Sequence, residues 1–353
     1  MANRISESRS TKIVANWIFL GVGMLIIQVL LGGITRLTGS GLSITEWKPI
    51  MGALPPMNEA EWQSAFSKYQ QIAQYKYINN HFTVTDFKFI FFWEWFHRVW
   101  ARFIGVVFLI PFIYFLVKGY FKKWMINPLI ILFLLGALQG AIGWIMVQSG
   151  LNQEDVYVNH IRLSAHFIAA MVLICYALIF GMMLTTKPEQ RVISSALKNF
   201  TLIILVILLV QLTYGAFMAG LKAATAAPTW PDVNGTFAPE MAKLHWTNNP
   251  VAVQFIHRML AYSLLILLVW WWFSAKRQTA SALFSKIRNW VVILVIVQVI
   301  LGILSVLNSL KIVPGHFGTF EWLALAHQLV GMLLLLMLVA AFYLLRWSGK
   351  YTS

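Results

Sequence analysis

The chain has 353 residues, of which 59% are hydrophobic and only 11% charged, with a formal net charge of +15. Soluble domains carry about 25% charged residues, so an ordinary soluble fold is excluded, and the absence of sustained polar/apolar alternation excludes a membrane β-barrel. The basic residues sit in short loops and at the ends of apolar runs, as in a membrane protein with a positive cytoplasmic side; nucleic acid is therefore not a partner.

The first twelve residues, MANRISESRSTK, form a polar, basic leader. It is too short for a transit peptide, and the apolar run behind it is too long for a signal peptide and lacks a small-residue cleavage pattern. It reads as the cytoplasmic tail of a bacterial protein. Eight apolar spans follow, at about 13–33, 97–117, 125–147, 162–184, 199–220, 256–274, 289–308 and 322–346, each near the ~20 residues a helix needs to cross the hydrocarbon. The predicted fold class is all-α: a polytopic membrane protein whose eight transmembrane helices form two pseudo-symmetric four-helix bundles.

A long outer loop, 34–96, separates the first two spans and is too long and too rich in Gly, Pro and aromatics for an idle connector. Its polar run 58–80 reads as one or two amphipathic helices lying at the outer surface. The shorter loop 221–253 contains TWPDVNG, a turn-rich counterpart. An even number of spans puts both termini on one side. That side carries 15 Lys/Arg and 2 acids, Glu7 and Glu189; the other carries 12 Lys/Arg and 10 acids. The termini are thus expected in the cytoplasm. The single cysteine, Cys175, lies inside an apolar run, which rules out an intrachain disulfide and argues against a thiolate metal site.

The two halves repeat. His97-Arg98 opens span 2 and His166 lies in span 4; His257-Arg258 opens span 6 and His327 lies in span 8, at offsets of 160 and 161. Gln139 to Gly143 in span 3 matches Gln298 to Gly302 in span 7, and spans 1 and 5 share a Gln followed by glycines (Gln28, Gly32, Gly33; Gln211, Gly215, Gly220). Two units in the same orientation are inferred, divided as 1–190, with the long outer loop, and 191–353.

Of the eight histidines, His81, His245 and His316 read as solvated loop residues, and His160 lies at a span edge. The four repeated ones fall toward the outer ends of even-numbered spans, where an ionisable side chain is costly and faces the bundle interior. Two imidazoles from facing helices in an apolar cavity suit haem iron. Zinc or copper would need further donors, and a di-iron carboxylate site would need Glu-x-x-His twice; Glu94-x-x-His97 occurs once, and its repeat is Gln254-x-x-His257. The pairs are His97 with His166, and His257 with His327. Arg98, Arg258 and Arg102 fit haem propionates and equally fit anchors at the interface. Glu94 shares a helix face with His97. It reads as a proton acceptor beside a porphyrin or as a carboxylate favoured by a helix N-terminus. The Glu94/Gln254 asymmetry suggests that the C-terminal pocket holds a permanent, electron-moving haem and the N-terminal pocket a haem that is worked upon.

Several blocks, among them GGITRLTGSGLSITEWKPIMGALPP (32–56), FFWEWFHRVWARFIG (91–105), IRLSAHF (161–167), GAFMAGLKAATAAPTWPDVNG (215–235) and LAHQLVGMLL (325–334), resemble haem A synthase of the proteobacterial and mitochondrial branch. The resemblance spans nearly the whole chain. It implies oxidation of the C8 methyl of haem O to a formyl group, giving haem A for cytochrome oxidase. It further implies haem B as cofactor on His257 and His327 with Arg258, the substrate haem at His97 and His166 with Arg98 and Arg36, and a catalytic Glu94. Arg36, Ser40, Trp47 and Lys48 would belong to a lid over the substrate pocket. The cysteine pair of the Gram-positive branch is absent from the first outer loop. Ala101 stands where the family pattern has Gly, and Lys222 where it has Asp. Implied partners are haem O and membrane lipid, with a haem O synthase, cytochrome oxidase assembly factors and a second copy of the chain as candidates, in a bacterial inner membrane with the haem sites toward the outer face. The rival readings are a quinol-linked di-haem b-type electron-transfer protein and a transporter. The transporter is disfavoured because the ionisable residues gather at one face.

Overall fold

The computed structural model describes residues 2–46, 51–241, 245–279, 281–312 and 317–346, with residues 2–8 and 51 described by backbone alone. Its helices are α1 (Ala2–Leu37), α2 (Glu59–Tyr69), α3 (Ala73–Tyr77), α4 (Val84–Val117), α5 (Lys123–Gln148), α6 (His160–Thr185), α7 (Ser195–Gly220), α8 (Pro250–Lys276), α9 (Ala282–Leu307) and α10 (Thr319–Leu344). Among the described residues eight helices, all but α2 and α3, are long and apolar enough to cross a membrane. The chain is an all-α, multi-pass membrane protein. By packing it divides into two compact units, Met1–Ile174 with Val313–Phe317, and Cys175–Ile312 with Gly318–Ser353.

In the first unit α1 and α4 run antiparallel, tied by indole donors: Trp17 Nε1 to the Val107 carbonyl at 2.9 Å and Trp100 Nε1 to that of Met24 at 3.0 Å. The membrane helix expected from residue 97 begins at Val84. Thr83 caps it, its side chain accepting from Asp86 N while Asp86 Oδ2 accepts from Thr83 N at 2.9 Å, a reciprocal capping box. Its 34 residues span about 50 Å at ~1.5 Å per residue, well beyond a ~30 Å hydrocarbon core. The N-terminal turns of α4 therefore serve as a docking post.

The polar run 58–80 does fold as two helices, but their apolar faces meet protein. Phe66 and Tyr69 of α2 pack with Ile72, with Phe87, Ile90 and Phe91 of α4, and with Leu42 and Val147 in one small core. Pairing with another element buries these rings more completely than resting on a lipid surface would. Tyr69 is fully buried; its hydroxyl donates to Gln74 Oε1 at 3.0 Å and accepts from Asn79 Nδ2 at 2.8 Å. Burial pushes its pKa from 10 up to about 12. Because the folded value exceeds the unfolded one, this stabilisation is whole below about pH 10 and is lost as the pH rises through about 12. Tyr69→Phe is expected to cost about 1–2 kcal/mol at neutral pH through the orphaned Gln74 and Asn79 groups. It should also flatten the alkaline loss of stability, read from thermal unfolding between pH 9 and 12.

The second unit holds a closed ring of four helices: α7 on α8, α8 on α9, α9 on α10 and α10 on α7. Asn249, Ser194 and Ser281 cap α8, α7 and α9 through their side chains. Trp271 is wholly buried and donates to Thr201 Oγ1 at 2.8 Å, joining α8 to α7. A two-residue parallel pairing of Val192–Ile193 (β1) with Leu345–Arg346 (β2) closes the other end of this unit.

Candidate functional site

In the first unit, His97 lies 13 residues after the start of α4, and α1 presents Gln28 and Gly32 to it. Gln28 Nε2 donates to the His97 carbonyl at 3.3 Å, and a Cβ on Gly32 would stand 3.3 Å from His97 Nε2. His166, near the start of α6, rests on α5 in the same manner. Gln139 Nε2 donates to its carbonyl at 3.0 Å and lies 3.2 Å from its Nδ1, while a Cβ on Gly143 would come within 2.7 Å of its Cε1.

Glu94 is 2% exposed. Its Oε2 accepts from Ser43 Oγ at 2.7 Å and from the Ile44 amide at 2.8 Å; its Oε1 accepts from Arg98 Nη2 at 2.5 Å. Arg98 also donates to the carbonyls of Ile44 at 3.1 Å and Glu46 at 3.4 Å. Carboxylate and guanidinium together strap residues 43–46 onto α4. A helix-dipole role for Glu94 is excluded: the helix starts ten residues earlier, and the dipole's influence fades within the first turn.

The second unit repeats the strap with different chemistry. Gln254, 0% exposed, donates through Nε2 to the Ala227 carbonyl at 3.0 Å. Arg258 donates to the carbonyls of Ala227 at 3.1 Å, Thr229 at 2.8 Å and Asp232 at 2.7 Å. The first loop thus offers N–H and O–H groups to a carboxylate, whereas the second offers only carbonyls, which an amide can serve and a carboxylate cannot. Arg258→Ala removes three hydrogen bonds and leaves the Thr229 carbonyl without its donor, Ala227 and Asp232 keeping Gln254 and Thr229, and is expected to cost about 2–3 kcal/mol. It should also speed proteolysis within 226–236, measured against the thermal midpoint of the parent protein.

The rings of His257 and His327 lie with centroids 6.3 Å apart and planes inclined at 67°. His257 Nε2 lies 3.4 Å from Gln211 Nε2, and a Cβ on Gly215 would stand 3.2 Å from its Cε1. His327 Nδ1 donates to the Gln298 carbonyl at 3.0 Å, its Nε2 lies 3.2 Å from Gln298 Nε2, and a Cβ on Gly302 would stand 3.0 Å from its Cε1.

Other residues singled out in the sequence fall outside these clusters. Arg36 ends α1, and Ser40 is buried with its hydroxyl 2.6 Å from that of Thr38. His81 and His245 are exposed, and His160 opens α6. Trp47, Lys48 and His316 lie outside the described residues. Ser43 and Ile44 were missed: lying some 50 residues from Glu94, they carry no local signal of that contact.

The family model described as "Cytochrome oxidase assembly protein" matches residues 15–339. Curated relatives named "Heme A synthase" align along nearly their whole length. That of Rhodospirillum centenum is 41% identical over 96% of this chain and 90% of its own. Those of Bradyrhizobium diazoefficiens (40%; 92% and 89%) and Flavobacterium psychrophilum (39%; 93% and 96%) are similarly matched. The chain belongs to the haem A synthase family.

A haem A synthase must accommodate porphyrin iron, and the residues fit that group. Metal–imidazole bonds are about 2 Å long, so two imidazoles on opposite sides of one ion have centroids about 6 Å apart, as His257 and His327 do. The Nδ1–H of His327, donated to the Gln298 carbonyl, fixes the tautomer whose lone pair sits on Nε2, as outer partners do for ligating histidines; Gln298 Nε2 lies beside that nitrogen and would yield it to a metal. Among the described residues no three His, Cys, Asp or Glu side chains gather as a metal site, which disfavours zinc or a di-iron centre.

Proposed function

We propose that the protein oxidises the C8 methyl group of haem O to a formyl group, giving haem A for cytochrome oxidase. The N-terminal half, 1–190, receives the substrate haem between His97 and His166. The C-terminal half, 191–353, holds haem B on His257 and His327. Bound there, haem B supplies one-electron chemistry for carrying electrons away from the substrate. The observation that carries the reading is the asymmetry: a buried carboxylate, Glu94, one turn from His97, and a buried amide, Gln254, one turn from His257.

Methyl to formyl is two successive two-electron oxidations; with water as the oxygen source the balance is R–CH3 + H2O to R–CHO + 4 H+ + 4 e−, the electrons leaving for an external acceptor and the protons for a nearby base. Glu94 is the group that takes a proton, or stabilises positive charge developing at the methyl carbon. Its three donors keep it oriented, and Arg98 balances its charge. Arg36, Arg98 and Arg258 are the propionate partners. A guanidinium has five N–H donors, so the loop carbonyls leave Arg98 and Arg258 donors to spare.

In this reading both termini lie in the cytoplasm and the haem sites toward the outer face of a bacterial inner membrane. The cationic groups at the opposite ends of the second unit's helices support this: Arg191 lies 4.7 Å from the Tyr343 ring, Lys198 4.8 Å from Phe342 and Lys276 5.1 Å from Trp272, as snorkelling anchors do at a membrane surface. The test is extraction and chromatography of haems from cells making a haem O synthase with and without this protein. Haem A is expected only with it. A di-haem electron-transfer protein would leave haem O unchanged.

A further inference from the structure

Four glutamines sit inside α1, α5, α7 and α9, and each is followed four residues later by a glycine: Gln28 and Gly32, Gln139 and Gly143, Gln211 and Gly215, Gln298 and Gly302. Residues four apart share a helix face. In every case that face meets the histidine on the next membrane helix: His97, His166, His257 and His327 respectively. The glycine spares the imidazole a Cβ that would stand at 3.3, 2.7, 3.2 and 3.0 Å in that order, a clash at Gly143 and a tight contact at the others. The glutamine lays its amide beside the same residue: 3.2 Å from Nδ1 of His166, 3.4 and 3.2 Å from Nε2 of His257 and His327, and on the backbone carbonyl of His97.

A buried amide in an apolar helix is costly unless both of its ends are bonded. Yet the Oε1 atoms of Gln28, Gln139, Gln211 and Gln298 are all buried without a partner. The amide is held for what its nitrogen touches. Even the far side of Gln298 is cleared for it: a Cβ on Gly331, one turn beyond His327, would stand 3.0 Å from Gln298 Nε2.

We propose that each Gln-x-x-x-Gly couple is a cradle that seats one iron-ligating imidazole, and that Gln28, Gln139, Gln211 and Gln298 are positioning residues. The inference rests on the reading of these histidines as haem ligands. The glycine sets how closely the ring lies on the neighbouring helix. The glutamine holds the ring's edge, and at His327 its backbone carbonyl fixes the rotation through Nδ1 while its amide packs beside Nε2. The fold is then four copies of one helix pair, each delivering one oriented imidazole.

Low-spin haem reports the rotation of its axial rings through the anisotropy of its electron paramagnetic resonance signal, and the ligand field through its midpoint potential. Both are read on the purified full-length protein, without turnover. Gln298→Met, which keeps the volume and removes the amide, is expected to shift the g values and the potential of the C-terminal haem. Gly302→Ala is expected to shift them further and to cut haem retained through gel filtration about tenfold, the usual scale for loss of an outer-shell partner. Ser305→Ala removes a buried hydroxyl from the same helix that bonds only the Leu301 carbonyl; it should move neither quantity. If Gly302→Ala fails to fold, Gly215→Ala, with its longer 3.2 Å approach, and Gln298→Met carry the test. Unchanged g values, potential and retention in these variants, with His327→Ala still abolishing the signal, overturn the cradle alone. No low-spin haem in the parent protein overturns the ligand assignment beneath it.

Discussion

Replacing either His257 or His327 by alanine is expected to abolish low-spin haem B in the purified protein, seen as loss of its sharp reduced-state visible bands. The two rings stand at the separation one metal ion requires, and each is seated on a separate helix, α8 and α10. Removing one ring leaves a single imidazole donor, and among the described residues no three His, Cys, Asp or Glu side chains gather as a replacement site. The loss should therefore be near complete, while the N-terminal pair, His97 and His166, is untouched. Exogenous imidazole should restore part of the low-spin spectrum to His257→Ala, because the gap it leaves is ring-sized. A variant of either residue that keeps the parent spectrum would place the cofactor elsewhere.

The second large effect is at Glu94. Glu94→Gln is nearly isosteric, yet haem A formation should fall at least ~100-fold, the lower end of what a positioned proton acceptor contributes. The substitution also takes the countercharge from Arg98, whose side chain is 19% exposed and which keeps the Ile44 and Glu46 carbonyls. Lost activity could then reflect a loosened strap. Ser43→Ala separates the two effects, because it removes one donor to Glu94 and leaves the carboxylate and Arg98 in place. Haem A output close to the parent level in Ser43→Ala, with Glu94→Gln inactive and its C-terminal haem spectrum intact, is the expected pattern. Equal losses in both variants would make Glu94 a loop fastener only, and parental haem A output from Glu94→Gln would end the proton-acceptor assignment.

The two straps also give the Glu/Gln asymmetry a structural side. Ile44 turns its amide toward Glu94, and Ala227 turns its carbonyl toward Gln254. Exchanging the residues, Glu94→Gln together with Gln254→Glu, would set a carboxylate against carbonyls in the second half. Chemistry and loop conformation are therefore linked at this position: a carboxylate there requires a loop that presents donors.

How much could be read from the chain alone follows from what kind of signal each feature leaves. The eight spans were legible because a membrane helix must satisfy its backbone within one continuous apolar stretch, and hydropathy along the chain records that directly. His97, His166, His257, His327, Glu94 and the mid-span glutamines stood out because polar groups in hydrocarbon are expensive, so each is visible against its neighbours. The spacing of the two halves was legible because it is a comparison of the chain with itself. Other features depended on contacts between distant residues. The start of α4 at Val84 does carry a local signal, the Thr83–Asp86 capping box, but that 84–96 forms a packed post depends on α2 and α3 covering Phe87 and Phe91. That Glu94 meets Ser43 and Ile44, or that Arg258 gathers three carbonyls from one loop, depends on where a flexible connection settles, and hydropathy carries no record of it. That each glycine lies under a particular ring depends on helix rotation and register, which neighbouring helices set jointly. The amino-acid sequence by itself determined which segments enter the membrane and which costly side chains go with them. The tertiary structure alone decided which of those side chains touch, because closeness in space between residues far apart in the chain is a property of packing rather than of composition.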